Sequence, residues 1–409
     1  MRSAGRRTRL SAKSLAVAGG GIAGLTAALA LARAGWPVTV YERTAHFLSA
    51  GAGVQLGPNA CRALVELGLL DQVSAVATTP DNLLIHRGRD GAVLVDLPIR
   101  TLAAQRWHSP SLVIHRGDLH DVLLEAANAH PLITVHNDAR LIDASDKEGG
   151  VALQLAMNDA PETRQHDALV VAEGIGSRLR ARFDGGLGLR DTGRVAWRAL
   201  VPAQDAPAFA RSATTHLWLG PRAHLVHYPL RGGSVINVVA ISSRLADELV
   251  ADDYDAAGDE DASEQYLERT FAAFSRDARQ LIGAVTSWRM WPLLDAAPLK
   301  NLALGRIALA GDAAHPMVPF LAQGAGQAIE DAIALGAGFE RHPYDAVHAL
   351  AAYSAARWAR AKRVQATSGR QAMIYHMSGL QAQIRDLAMQ ALGPMGMARG
   401  LDWLYRGGV

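Results

Sequence analysis

Residues 15–42 read as one strand–turn–helix–strand unit whose turn carries glycine at three fixed positions, Gly19, Gly21 and Gly24. Leu15-Ala16-Val17-Ala18 is an apolar run suited to a buried strand, Leu25 to Ala34 is helical up to Gly35, and Val38-Thr39-Val40-Tyr41 is the next strand. Parallel strands joined by a helix need a sheet covered on both faces, so the unit commits the chain to an α/β fold. Gly19 permits the tight turn, Gly21 lets backbone approach a pyrophosphate, and Gly24 lets helix and strand pack closely. The N–H groups that open the helix, at Ile22 and Ala23, favour phosphate. Glu42, followed by Arg43, ends the second strand 18 residues beyond Gly24. An acid there accepts hydrogen bonds from a ribose and disfavours a 2′-phosphate. NAD and FAD both fit such a grip.

A second grip lies almost 300 residues on. Arg306-Ile307-Ala308-Leu309-Ala310-Gly311-Asp312 runs from strand into turn, and Pro319 to Asp331 continues as loop and helix start. In this order, the two runs predict one dinucleotide held by distant parts of the chain. A separate nicotinamide domain needs a second fingerprint. Gly51-Ala52-Gly53-Val54-Gln55-Leu56-Gly57 misses it because Leu56 stands where glycine is required, and Gly186-Leu187-Gly188 also fails.

Composition sets the remaining bounds. A chain of 409 residues can bury a large core, and 49% hydrophobic with 20% charged residues is ordinary for a globular protein. The formal net charge of +2 calls for neither nucleic acid nor an anionic membrane. No apolar run is long enough to predict a spanning helix. The single cysteine, Cys61, excludes an intramolecular disulfide and fits a reducing compartment, so a cytoplasmic location is expected. Met1 to Ser14 is basic, lacks the apolar segment of a secretory signal, and reads as an extension. Helices are predicted over Asn59–Leu70, over Asp118–Ala127 with Asp118 as N-cap, and over Gln265–Ile282. Asn82–Ile99 reads as β segments turning at Asp90-Gly91, Gly193–Ser242 as strand-rich, and Asp252–Glu264 as an acidic loop. The expected division is a dinucleotide domain over 15–80, 105–180 and 288–360, a β-rich substrate domain over 81–104 and 181–287, and a helical segment over 361–409.

The run ending in Gly311-Asp312 resembles the second FAD motif of the class A flavin monooxygenases, the single-component aromatic hydroxylases. The resemblance implies that Asp312 contacts the ribityl chain and that Gly324, Ala325 and Gly326 offer N–H groups to the flavin's pyrimidine edge. Ala172 to Arg180 is similar to the family's Asp-Gly segment, with Glu173 replacing the usual aspartate beside Gly174. That segment helps bind FAD and is implicated in NAD(P)H binding. Gly51 to Asn59, with Gly53, and Leu112 to His120, with Arg116, match further, and Leu141 lies where a cofactor contact falls. The match spans most of residues 15–365 and looks closest to the branch of salicylate hydroxylase, 3-hydroxybenzoate 6-hydroxylase and 6-hydroxynicotinate 3-monooxygenase. It implies a Rossmann-type FAD-binding domain, glutathione-reductase-like, interleaved with a β-sheet substrate domain, plus C-terminal helices, in a monomer or homodimer. FAD is the implied resident cofactor; NAD(P)H, O2 and a small aromatic substrate are transient partners.

In that family NAD(P)H reduces the flavin, and O2 forms a C4a-hydroperoxide that passes an electrophilic oxygen to an electron-rich ring. A phenol reacts well once deprotonated, so the pocket benefits from a proton acceptor and from exclusion of water. On a strand over His224-Leu225-Val226-His227-Tyr228, His224, Val226 and Tyr228 point one way and His227 the other. Relatives carry a similar His and Tyr four apart beside the substrate. By that resemblance His224 takes the phenolic proton and Tyr228 orients the ring. Pro319 lies where the family brings a proline carbonyl to the substrate hydroxyl; 3-hydroxybenzoate 6-hydroxylases have glutamine there. Gln55 and Phe320 are further candidates for substrate contact. Trp197 and Trp218 suit core packing as well as pocket lining. The histidines show no metal spacing. Two other readings stay open. Trp288-Arg289-Met290-Trp291-Pro292 resembles a halogenase Trp-x-Trp-x-Ile-Pro motif at the wrong spacing, and a non-catalytic, redox-sensing flavoprotein would share the cofactor grip.

Overall fold

The apolar run Leu15–Ala18 lies in the interior of a six-stranded sheet in a computed structural model that describes residues 13–45, 52–244 and 260–407. Residues 1–12, Gly51 and most of the acidic stretch 252–264 lie outside the described residues. The strand order is Ala303–Leu304, Ile307–Leu309, Ala168–Val171, Leu15–Ala18, Val38–Tyr41, Ile133–His136, parallel throughout except for the first pair. Every residue of strands 15–18, 168–171 and 307–309 is buried, which is why they read as unbroken apolar runs. Helix Ile22–Arg33 packs against helix Gly324–Arg341. Because the three strands are parallel neighbours, the turns that follow them emerge side by side at one end of the sheet.

A seven-stranded sheet carries the other half of the site. Its order is Arg289–Ala296, Leu189–Pro202, Val235–Ser243, Ala223–Leu230, Thr214–Gly220, Asn82–Arg87, Val93–Leu97. All pairs are antiparallel except 214–220 with 82–87. Period-2 alternation gives it two distinct faces. Val195, Trp197, Trp218, Leu225 and Val238 pack outward under helices Glu260–Phe271 and Arg276–Gly283. Ala196 and Ile241 pack inward with Val318 and Phe320. Trp197 and Trp218 therefore belong to the outer core. So does His227, which joins a column of buried imidazoles: its ring lies 4.4 Å from that of His216, and His216 Nδ1 is 2.9 Å from His86 Nε2. His224 faces the opposite way, against Phe320.

Several local expectations are corrected. The helix expected from Asp118 spans Arg116–Ala129, and His115 is its cap, with Nδ1 accepting from the Gly117 N–H at 3.2 Å. Asp118 instead accepts from Arg231 at 2.6 Å. The single helix expected over 265–282 is two, divided before Ser275, whose hydroxyl caps the second by accepting from Ala278 N–H. Asn59–Leu70 breaks at Gly68, a left-handed position with φ 73°, into Pro58–Leu67 and Leu70–Val76. Residues 139–166 form an antiparallel three-stranded sheet that the sequence reading did not anticipate.

After the long helix Ala346–Tyr375, helix Gly379–Gly400 inverts the usual pattern. Arg385 and Asp386 are buried and paired at 2.8 Å, while Leu380, Ile384 and Leu387 are exposed. Arg385 also donates to the carbonyls of Ile374 and Tyr375, at 3.2 and 3.0 Å. No helix among the described residues is long and apolar enough to cross a membrane.

Candidate active site

The glycine turn is tight enough that side chains cannot enter it. A Cβ on Gly24 would stand 1.8 Å from the Gly19 carbonyl oxygen, and Gly19 itself has φ +103°. Around Gly21, Gly174 and Gly176, by contrast, a Cβ would meet nothing within 4 Å, so these turns are open. The first intrahelical bond runs from Leu25 N–H to the Gly21 carbonyl, at 2.9 Å. The N–H groups of Ile22, Ala23 and Gly24 thus precede the helical ladder and remain for an anion. Glu42 braces the turn: Oε2 accepts from Gly20 N–H at 2.6 Å, and Oε1 from the N–H and hydroxyl of Thr44, both at 2.9 Å. Arg43 follows on the surface. Gly53 opens a strand paired with the one that ends at His115, just before Arg116. Glu173 accepts from Ser177 at 3.1 Å; burial pushes its carboxyl up, with Ser177 and Arg43 opposing. Leu141 gives its side chain to the apolar core.

The second grip touches the first. A Cβ on Gly311, whose φ is +59°, would lie 2.7 Å from the Ala23 Cβ. Asp312 is exposed beside it, with Arg116, Arg198 and His315 as charged or ionisable neighbours. A buried polar network holds this turn from below. Asp331 accepts from Gly311 N–H at 2.9 Å, from His315 at 2.6 Å and from Arg357 Nε at 2.7 Å. Burial alone would raise the Asp331 carboxyl, but His315 and Arg357 more than offset it and hold it below the usual range. Glu330 next to it accepts from Arg357, Arg360 and Asn59. Asn59 also donates at 3.0 Å to Gln323, which precedes Gly324 at the start of helix 324–341. Gly324, Ala325 and Gly326 thus form the first turn of an anchored 18-residue helix.

Opposite that turn stands the inner face of the seven-stranded sheet. Pro319 and Phe320 lie in a short 3-10 turn held by Ser368, which donates to the Val318 carbonyl. The Phe320 ring is 5.0 Å from His224. Tyr228 is buried against Gly53, where a Cβ would approach its ring to 2.5 Å, and it shares a hydrogen bond with Gln55. Burial pushes its hydroxyl up. His224 Nδ1 lies 2.8 Å from His376 Nε2. Burial, then His376 and Arg194, hold the His224 imidazole well below its ordinary value, so it is neutral at pH 7. The expected residues His224, Tyr228, Gln55, Pro319 and Phe320 are therefore gathered on facing sides of one region. Others were not anticipated. Arg194 and Arg198 alternate with outward residues on strand 189–202, a period-2 signal present in the sequence. His376, Asn237 and Asp331 carry no comparable signal.

Three glycine-bearing turns at the carboxyl ends of adjacent parallel strands, two of them open, an acid closing the second strand and an anchored helix start beyond Asp312 make a site that fits one extended FAD. That class of protein is the one the comparisons return. A family profile described as FAD binding domain matches residues 12–368. The chain is 35% identical to 3-hydroxybenzoate 6-hydroxylase of Polaromonas naphthalenivorans over 95% of its own length and 94% of that protein. It is 31% identical to 6-hydroxynicotinate 3-monooxygenase of Bordetella bronchiseptica over 87% and 90%. The solved salicylate hydroxylase substrate complex matches with TM-score 0.79 at 25% identity, covering 97% and 96% of the two chains. The chain belongs to the FAD-binding-domain family of flavin hydroxylases. It is an FAD-dependent aromatic monooxygenase.

Proposed function

We propose that the protein hydroxylates a phenolic or N-heteroaromatic acid, with NAD(P)H as electron donor and O2 as oxidant. The names of the relatives, hydroxylases of 3-hydroxybenzoate and 6-hydroxynicotinate, support an acidic hydroxylated ring as substrate. Bound FAD, once reduced, would supply the oxygen-activating chemistry; the protein's residues bind, orient and move protons around it. Ile22 and Ala23 N–H hold the pyrophosphate, Glu42 the ribose, Asp312 the ribityl chain, and Gly324 to Gly326 the flavin ring. Arg116, Glu173 and Gly174 complete the cofactor contacts. On the substrate side, Pro319, Phe320 and Gln55 enclose the ring and keep water out. Tyr228 orients it. His224 takes the hydroxyl proton at Nε2, because Nδ1 is already engaged by His376.

The observation that carries the reading is the placement of a neutral buried imidazole and a buried phenol on one sheet face, opposite the flavin-side turn 319–326. His224→Ala is expected to slow hydroxylation by about 100-fold or more, while substrate-stimulated flavin reduction stays within about twofold. Rapid-mixing absorbance separates the two half-reactions. Unchanged single-turnover hydroxylation in the variant would remove His224 from the proton path.

A further inference from the structure

The first turn of helix Gly324–Arg341 has two buried acids behind it, Glu330 and Asp331. At the helical rise they lie roughly 10 Å along the axis from Gly324. Burial alone would raise the Glu330 carboxyl, but the hydrogen bond from Arg360 and the charges of Arg357 and Arg360 hold it below its usual range, so it is ionised at neutral pH. Asp331, held low by His315 and Arg357, is ionised as well. Two negative charges at this depth oppose the positive end of the helix. They would also oppose the reduction of a flavin placed there, because a hydride brings two electrons and one proton and leaves one net negative charge on the ring.

Helix Ala346–Tyr375 supplies the opposite charges. Arg357, fully buried, donates to Glu330 at 2.5 Å and to Asp331 at 2.7 Å. Arg360 grips Glu330 at both oxygens, Nε to Oε2 at 2.5 Å and Nη2 to Oε1 at 2.7 Å. This parallel fork is the strong, charge-assisted form of the pair. The far side of the Arg360 guanidinium is fixed too, because the carbonyls of Trp403, Leu404 and Gly407 accept from it at 3.1, 2.7 and 3.1 Å. Arg62, the next cation, gives its N–H groups to the carbonyls of Trp107, Tyr405 and Gly407. Glu330 is in turn tied to the helix start. Asn59 donates to it at 2.6 Å and, at 3.0 Å, to Gln323, the residue before Gly324. The acid thus belongs to the flavin-side helix, and the cation that balances it comes from another helix.

We infer that Arg360 is a positioning residue for flavin reduction: by cancelling the Glu330 charge behind Gly324 to Gly326 it keeps the helix start electropositive and raises the reduction potential of the bound FAD. The inference rests on the proposed placement of the flavin ring at that turn. A single unbalanced charge roughly 10 Å away, at an effective dielectric of about 20, shifts an equilibrium about tenfold. For a two-electron couple that is ~30 mV. The test is the midpoint potential of FAD-loaded enzyme, read by equilibration with a reference dye and without aromatic substrate. Arg360→Gln is expected to lower the potential by the equivalent of about tenfold, ~30 mV, and Glu330→Gln to raise it by a similar amount. The double variant returns close to the wild type, and Arg360→Lys, which keeps the charge, stays within about twofold, ~10 mV. A contact that served only to hold the fold would not give opposite signs, since both single variants break the same pair. Shifts of the same sign, or unchanged potentials in both single variants at full flavin content, overturn the inference. Should one single variant lose its flavin, the other is read against the double variant, and a potential that does not return toward the wild type overturns it equally. The two readings fail separately. Unmoved potentials in an enzyme that hydroxylates an aromatic acid refute the role of Arg360 alone, and opposite shifts in an enzyme that hydroxylates none refute the function alone.

Discussion

Replacing Asp331 with asparagine keeps the size of a fully buried side chain and removes its charge. The carboxylate accepts at both ends: Oδ2 from Gly311 N–H and His315, Oδ1 from Arg357 Nε. Asparagine has one oxygen and one NH2 group, so one end must set donor against donor. Breaking a buried ion pair by removing one partner costs about 3–5 kcal/mol. Taking about 2.1 cal/mol/K per residue for the unfolding entropy of a chain this long, that is a drop in Tm of roughly 3–6 °C. If the weakened end is the one at Gly311, the turn that leads into Asp312 loses its tether and FAD affinity falls with stability. The assay is a thermal melt of apo and FAD-loaded protein, with FAD affinity from quenching of flavin fluorescence. The Asp331 carboxyl sits below its ordinary value in the fold, so its contribution is present above the unfolded carboxylate pKa and disappears as pH falls through the folded one. The gap between wild type and Asp331→Asn is therefore largest near neutrality and closes in acid. A variant that melts within about 1 °C of the wild type and holds FAD equally well would refute the view that this network supports the second grip.

Gly24→Ala places a methyl group 1.8 Å from the Gly19 carbonyl oxygen and 2.9 Å from its carbonyl carbon, backbone of a turn that cannot yield, and 3.3 Å from the side-chain Cγ1 of Val17. The variant is expected to purify without flavin colour, and a normal flavin-to-protein absorbance ratio would contradict this. The imidazole column on the outer sheet face predicts acid sensitivity. Burial, with His86 beside it, lowers His216 to about 4. Its contribution is intact above the unfolded value near 6.5 and is lost as pH falls from there toward 4, about 3 kcal/mol for this one residue. Urea melts at pH 7.5 and 4.5 should show a smaller difference for His216→Phe than for the wild type.

The cofactor grip was legible because its determinants are local. The spacing of three glycines and the apolar strands around them are set by steric and burial constraints that act within 30 residues, and the structure joins the turns as those constraints require. What was misread has physical causes of other kinds. The division of helices 260–271 and 276–283 depends on Phe274 being drawn into the outer core, a tertiary effect. His115 rather than Asp118 caps its helix because Asp118 is taken by Arg231, 113 residues away. The sheet over 139–166 was missed because strand Ala160–His166 is mostly exposed and has no apolar face to betray it. On the substrate side, the face of His224 and Tyr228 followed from alternation. His376 could not, since its approach is fixed by Arg385 fastening the carbonyls of Ile374 and Tyr375 and by a bond from Arg222 N–H to its own carbonyl.

The central sheet draws adjacent strands from residues 15–18, 168–171 and 307–309, and this has a consequence for how the enzyme comes into being. During synthesis the first glycine turn emerges early, but the neighbouring strand Ala168–Val171 follows only after about 150 further residues and the Gly311 turn that touches it after almost 300. Pairings so distant along the chain pay their loop-closure entropy before any contact repays it, and they form late. The nucleotide cleft therefore closes near the end of folding, and FAD selects chains that have already completed it. From then on the flavin stabilises the joined segments in proportion to its free concentration over its dissociation constant. Supply of flavin during expression should govern how much of the chain survives to be an enzyme.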